Sequence, residues 1–327
     1  MKATFPLWLL VTLLLATVLP AQAQPRRVYS IGLVSLGSTE SVEIKGLRDG
    51  LKDAGYIEGK NLLLAVGIAK SYEDLRPVVQ SYIEKQFDVI VSTGGSAPLV
   101  AKELTQRIPI VFIGGADPIQ VGLVKSLSRP EGNITGIARY RDTEIYGKRL
   151  EVLKEAVPNL RRVTVLYNAR GENPTHFASL RLLQKIAPKL GVTIIEKPIK
   201  TVSELEKAIS GISRDTADGL FPICATIFRD LTKHMAETAS QRKVALSGCS
   251  PLVVTDYGAL LYYGADNYRL GQRSAWYVDR ILKGTKPQDL PVEVPSDFEM
   301  IINLKTAKQI GLSIPPNILA RADKVIR

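Results

Sequence analysis

The sequence predicts an α/β chain built as two doubly wound parallel-sheet lobes, and three observations predict it. Short β-branched runs alternate with amphipathic helical stretches along nearly the whole chain. The alternation comes in two series of the same plan, separated by a break after Gly114-Gly115. In each series the runs end in polar loops, several of them marked by glycine.

The chain begins with a leader. Met1-Lys2 gives a positive start, Leu7 to Leu19 is an apolar run, and Pro20-Ala21-Gln22-Ala23 ends in the small-x-small pattern of a signal peptidase site. Cleavage after Ala23 is expected, which removes residues 1–23. The apolar run is short for a membrane span, Gln24-Pro25-Arg26-Arg27 follows it directly, and no cysteine stands near the cleavage point to carry a lipid. An exported, soluble protein is expected, periplasmic in a cell with a double-membrane envelope.

In the first series Val28 to Ser35 reads as a strand, Thr39 to Ala54 as a helix closed by Gly55, Asn61 to Ile68 as a strand and Tyr72 to Gln86 as a helix. Asp88 to Ser92 is a buried strand that breaks at Thr93-Gly94-Gly95-Ser96 before a helix over Ala97 to Gln106. Ile108 to Ile113 is a strand stopped by Gly114-Gly115. Helices of this length between strands force right-handed crossovers and a parallel sheet covered on both faces.

The second series has a brief extended segment at Asn133 to Arg139, a helix over Glu144 to Ala156 and a strand over Arg162 to Asn168. Helix Thr175 to Leu190, strand Val192 to Lys197, helix Val202 to Ile212 and strand Gly219 to Ile223 follow. A helix around Thr226 to Arg242 and strands Val244 to Ser247 and Ala259 to Tyr263 complete it. The remainder holds an amphipathic helix, Asn267 to Lys283, an extended stretch, Pro291 to Pro295, a last strand, Glu299 to Asn303, and a short helix to Ile310. Leftover elements of this kind return to complete an earlier lobe. Several crossings are therefore expected, with a hinge near Arg139, Gly264 and Gln288. That divides the chain into a first lobe of 24–138 and 266–288 and a second of 139–265 and 289–327.

Ligands of such sheets sit beyond the carboxyl ends of the strands. In the first lobe that rule singles out Ser35 to Ser38, Thr93 to Ser96 and Gly114 to Pro118, and with them Ser35, Ser38, Gly115 and Asp117. In the second it singles out Asn168 to Asn173, Cys224 to Thr226 and Ser247 to Ser250, hence Asn168, Cys224, Thr226 and Ser250. Two lobes with facing loop edges describe a cleft for a small ligand.

Thr93, Gly94, Gly95, Ser96 and Ala97 form a strand-to-helix turn with free backbone N–H groups, a helix dipole and two hydroxyls, which suits a carboxylate. The same residues also fit an ordinary turn with Ser96 as helix N-cap. Asp117 before Pro118 fits both an acceptor for a ligand amine and a turn-and-cap device. Tyr140, Tyr263 and Phe228 stand where they can wall a cleft or fill a core.

The formal charge is +11, or +10 once Lys2 leaves with the leader. Lys and Arg are spread along helical stretches, with no long basic run and no aromatic interleaving, which describes a solvated basic surface and no nucleic-acid partner. Cys224 and Cys249 fall at the ends of neighbouring strands, so a disulfide is possible in an oxidising compartment, and two buried thiols are the alternative. No enzyme constellation is present. His176 and His234 stand alone on helical stretches and read as solvated surface residues, without metal-ligand spacing. Ser96 lies in Gly94-Gly95-Ser96-Ala97-Pro98, which is not the GxSxG elbow, and Gly94-Gly95 is no dinucleotide fingerprint. No catalytic residue, metal or cofactor is expected.

Several segments carry a family resemblance: GLKDAGYIEGKN (50–61), DVIVSTGGSAPLVAKE (88–103), IPIVFIGGADPIQVGLVKSLSRPEGNITGI (108–137), YGKRLEVLKEAVPNLRRVTVLYN (146–168), YVDRILKGTKPQDLPVE (277–293) and INLKTAKQIGLSIPPNILARADKVI (302–326). In this order, over nearly the whole mature chain, they resemble the substrate-binding protein family of ABC transporters that includes tryptophan and tyrosine uptake members. The resemblance implies a type I periplasmic binding-protein fold, in which two doubly wound lobes joined by three crossovers close on a solute and deliver it to an inner-membrane permease. It further implies that the loop matching Thr93 to Ala97 holds a ligand carboxylate, that the loop at Ala116-Asp117-Pro118 approaches the cleft, and that Asn168 faces it from the second lobe.

The sequence departs from amino-acid-binding relatives in the second lobe. Where they carry an acid or amide after a strand-end proline it has Pro222-Ile223-Cys224-Ala225-Thr226, and where they carry a glutamate it has Ser247-Gly248-Cys249-Ser250. A carboxylate on an apolar or aromatic body then fits better than a zwitterion, because an unpaired buried ammonium costs several kcal/mol. The expected protein is a monomer that captures a small-molecule solute for import. The alternative is a sensory protein presenting its closed form to a membrane chemoreceptor or kinase.

Overall fold

Runs of Val, Ile and Leu flanked by amphipathic helices bury both faces only as inner strands of a covered sheet. The computed structural model describes residues 27–36, 41–115, 117–139, 144–169, 174–295 and 298–327. The first lobe alternates β1 (Tyr29–Leu36), α1 (Val42–Asp53), β2 (Leu62–Ala69), α2 (Leu75–Glu84), β3 (Val89–Thr93), α3 (Ser96–Leu104), β4 (Ile110–Ile113) and β5 (Ile134–Ile137). Its strands are all parallel, in the order β2-β1-β3-β4-β5.

The period-2 alternation of β1 decides which helix covers which face. Ile31 and Leu33 pack with Ile44 and Leu47 of α1, whereas Val34 points the other way, onto Leu75 and Val79 of α2. Gly32 lies between them, and a Cβ there would come within 2.5 Å of the Tyr82 ring. The ring occupies the space that a side chain would fill, and its hydroxyl donates to the carbonyls of Leu33 at 2.8 Å and Ala65 at 3.1 Å.

The second lobe begins with α4 (Glu144–Ala156), β6 (Arg162–Asn168), α5 (Pro174–Ile186), β7 (Thr193–Ile199), α6 (Val202–Ser210) and β8 (Gly219–Pro222). A 3-10 turn (Thr226–Leu231), α7 (Thr232–Gln241), β9 (Ala245–Leu246), α8 (Pro251–Thr255) and β10 (Leu261–Ala265) follow. The parallel order is β7-β6-β8-β9, and a parallel bridge from Ser247 to Leu261 adds β10 at the edge.

After β10 the chain returns to the first lobe as α9 (Asn267–Leu282), which packs against α1. The two helices approach so closely that a Cβ at Gly46 would meet the Tyr268 carbonyl at 2.1 Å, and one at Gly271 the Glu43 carbonyl at 2.0 Å. The extended stretch beyond α9 stays with the same lobe. Glu293 makes a parallel bridge to Ile137, Leu290 and Val292 are buried in the first lobe's core, and the Ala138 N–H donates to Glu293 O at 2.9 Å. The last crossing therefore comes after Val294 and not at Gln288, because this stretch pairs with the sheet edge that β5 leaves open.

β11 (Phe298–Asn303), α10 (Leu304–Gln309), α11 (Pro316–Leu319) and β12 (Lys324–Ile326) complete the second lobe. β11 runs antiparallel to β10 and parallel to β12, so the second sheet is mixed at its edge. The reason is topological: β10 carries the chain out of this lobe and β11 brings it back. The two crossings lie side by side as one antiparallel pair.

Candidate functional site

In the order β2-β1-β3-β4-β5 the strands β1 and β3 feed helices on opposite faces, and a crevice opens between their carboxyl ends. Ser35 and Thr93 stand there as neighbours. The Thr93 hydroxyl donates to Ser35 Oγ at 2.8 Å, and both side chains are buried. Gly94 takes a φ of 82°, a region that favours glycine, and its N–H donates to Ile113 O at 3.0 Å.

Gly95, not Ser96, is the N-cap of α3, and no side chain caps that helix. The alternative reading of Ser96 as N-cap fails because Ser96 already lies in the first turn. The N–H groups of Gly95, Ser96 and Ala97 thus have no acceptor within the helix, while Pro98 has no N–H to offer. The Ala97 side chain itself is in the core, so it contributes only backbone. Gly115, with φ of 83°, comes so near the turn that a Cβ on it would lie 3.1 Å from the Gly94 carbonyl. The Asp117 carboxylate accepts from the N–H groups of Ile119 at 2.9 Å and Gln120 at 3.2 Å, the turn-and-cap geometry. The first lobe thus presents donors at its crevice.

The second lobe repeats the arrangement between β6 and β8, whose following helices α5 and α7 cover opposite faces. Asn168 ends β6, and Cys224 follows β8. Cys224 and Cys249 form a disulfide with Cα atoms 5.6 Å apart, so neither offers a thiol. His176, expected on the surface, is buried instead. Its Nδ1 lies 3.3 Å from the Asn168 carbonyl, burial pushes its pKa below the ordinary value, and the backbone of Cys224 is its other partner.

Arg149 of α4 is 2% exposed. Its Nη2 donates to Gly248 O at 2.8 Å and lies 3.3 Å from Ser247 Oγ, and its Nη1 lies 3.1 Å from Cys224 Sγ. Arg149 was not singled out in the sequence, although one signal for it existed. It falls on the apolar stripe of its helix, at helical spacing from Ile145, Tyr146, Val152 and Leu153.

The other candidates distribute as follows. Ser250 is the N-cap position of α8, without a side-chain cap bond. Tyr263 stacks on Phe298 with centroids 5.7 Å apart and joins the core beneath α4 and α5, apart from the strand-end loops. Phe228 is 3% exposed and belongs to the core as well, so it is no cleft wall. Thr226 opens the 3-10 turn. Ser38 and Tyr140 lie outside the described residues, as does the leader. Arg229 Nη2 of the second lobe donates to Lys70 O of the first, just beyond β2, at 3.3 Å. Among the described residues no group of side chains has the makings of a metal site.

The sequence pattern of the family described as ABC transporter substrate binding protein matches residues 32–326. The chain belongs to that family. A relative from Clostridioides difficile (strain R20291) named tyrosine-binding protein is 27% identical over 290 residues, which cover 88% of this chain and 82% of the relative. Among solved structures, a conserved domain protein from Vibrio cholerae superposes with a TM-score of 0.81 at 28% identity, covering 91% of this chain and 100% of that one. An ABC domain in complex with L-Trp from Streptococcus pneumonia gives the same TM-score at 22% identity over 91% and 100% of the two chains. This substrate-binding protein thus has the type I periplasmic fold.

Proposed function

We propose that this substrate-binding protein is the capture component of an ABC importer, exported by its leader to the periplasm and acting there on a small carboxylate with an aromatic or apolar body. The solute sits between the two strand-end crevices, and the lobes close over it by hinge motion before delivery to the permease. The observation that carries this reading is the uncapped start of α3. Three adjacent N–H groups there face no acceptor of their own helix, beside the paired hydroxyls of Ser35 and Thr93, at the point where such sheets bind ligands. Relatives named for tyrosine binding or solved with L-Trp support a solute of amino-acid size with an aromatic body and a carboxylate.

The test is mass spectrometry of ligand carried through purification, followed by thermal-shift screening of aromatic and aliphatic carboxylates. The reading expects a carboxylate of this class to raise the melting temperature in a concentration-dependent way. A panel in which only sugars or cations did so would refute it.

A further inference from the structure

The second lobe places two buried nitrogen-bearing side chains beneath its strand-end loops, and both bond to backbone carbonyls of those loops. Arg149 takes the carbonyl of Gly248 at 2.8 Å and lies 3.5 Å from that of Ser247. His176 takes the carbonyl of Asn168 at 3.3 Å. These carbonyls belong to the loops that end β6 and β9, so two buried side chains occupy acceptors at the strand ends. The Arg149 guanidinium is also flanked by the faces of Phe221 and Tyr146, at 4.9 and 5.5 Å from the ring centroids, and its Nε has no partner among the described residues. Among the described residues no carboxylate pairs with it.

A buried guanidinium is always charged, and a low-dielectric surround carries its field much further than water would. Carbonyls and ring faces give it only partial compensation. We propose that Arg149 makes the second-lobe half of the cleft electropositive, so that it takes a carboxylate or another electron-rich group and rejects an ammonium. With donors on the first lobe as well, the cleft fits a carboxylic acid that lacks an α-amino group. This deepens the solute-binding reading above and rests on it. Arg149 acts as a specificity-determining group through the loops it holds and the charge it places behind them.

The matched probes are 3-phenylpropionate and phenylalanine, which share an aromatic body and a carboxylate and differ in the α-ammonium. Calorimetric titration of the wild type should give tighter binding of 3-phenylpropionate by at least tenfold, about 1.4 kcal/mol. In Arg149→Met, which keeps the side-chain volume, that ratio should fall by about tenfold. In Arg149→Lys, which keeps the charge but not the fork of donors, it should stay within about threefold of the wild type. A purely packing role for Arg149 would weaken both ligands alike and leave the ratio unchanged, which overturns the proposal.

If Arg149→Met does not fold, the wild-type ratio decides alone. Phenylalanine bound as tightly as 3-phenylpropionate overturns the charge selection while leaving solute binding intact. Binding of neither probe, nor of any carboxylate in the wider panel, overturns the underlying reading and the proposal together.

Discussion

Thr93 and Ser35 pair their hydroxyls at 2.8 Å inside the first lobe, at the point where β1 and β3 diverge. A buried hydroxyl left without its partner costs about 1–3 kcal/mol. Thr93→Val keeps the shape and removes the donor, so urea denaturation should show a loss in that range. The variant should also bind a carboxylate more weakly, because Thr93 orients the turn that precedes α3. Ser96→Ala should be milder for stability, since Ser96 does not cap the helix. Such roles lie at the limit of what residue types reveal. A serine after two glycines is compatible with a cap and with a first-turn position, and only backbone geometry separates the two. His176 illustrates the same limit, because burial at the start of a helix depends on which loops close over it.

At the scale of elements, the alternation of strand and helix was legible, and the two parallel sheets follow from it. The candidate loops of both lobes were legible too, because the carboxyl ends of parallel strands are fixed once the strand order is known. What pattern alone could not supply was pairing between distant segments. Glu293 joins Ile137 across nearly half the chain, and that keeps residues up to Val294 with the first lobe. The bond between Cys224 and Cys249 likewise depends on the Cα separation of two loops, which here is 5.6 Å. The bridge ties the loops after β8 and β9 at a sequence separation of 25, and closing a loop of this size stabilises by about 3.5 kcal/mol. Cys224→Ser with Cys249→Ser should lower the denaturation midpoint accordingly, and dithiothreitol should do the same to the wild type. The approach of α9 to α1 through Gly46 and Gly271 was also hidden, since glycines within helices signal nothing by themselves.

At the scale of the whole molecule, the strands that cross between the lobes carry an unusual acid. Glu299, paired in register with Gly264, has its pKa raised to about 7, first by burial and then by repulsion from Asp266 and Asp323, with Lys324 opposing. The folded protein therefore holds this proton more tightly than the unfolded chain does. That contribution to stability is complete below the ordinary carboxylate value of 4.5 and is lost as pH rises through about 7. Between those limits Glu299→Gln should flatten the fall in stability with rising pH, as read by denaturation at several pH values. An unchanged slope would contradict the assignment.

The contact from Arg229 to Lys70 O joins the second lobe to the first directly, beyond the end of β2. Closure of the lobes on a carboxylate is the central claim, and small-angle X-ray scattering of the purified protein measures it directly. With a carboxylate that raises its melting temperature present at saturation, the radius of gyration should decrease relative to the ligand-free protein. A radius unchanged by saturating ligand would contradict closure.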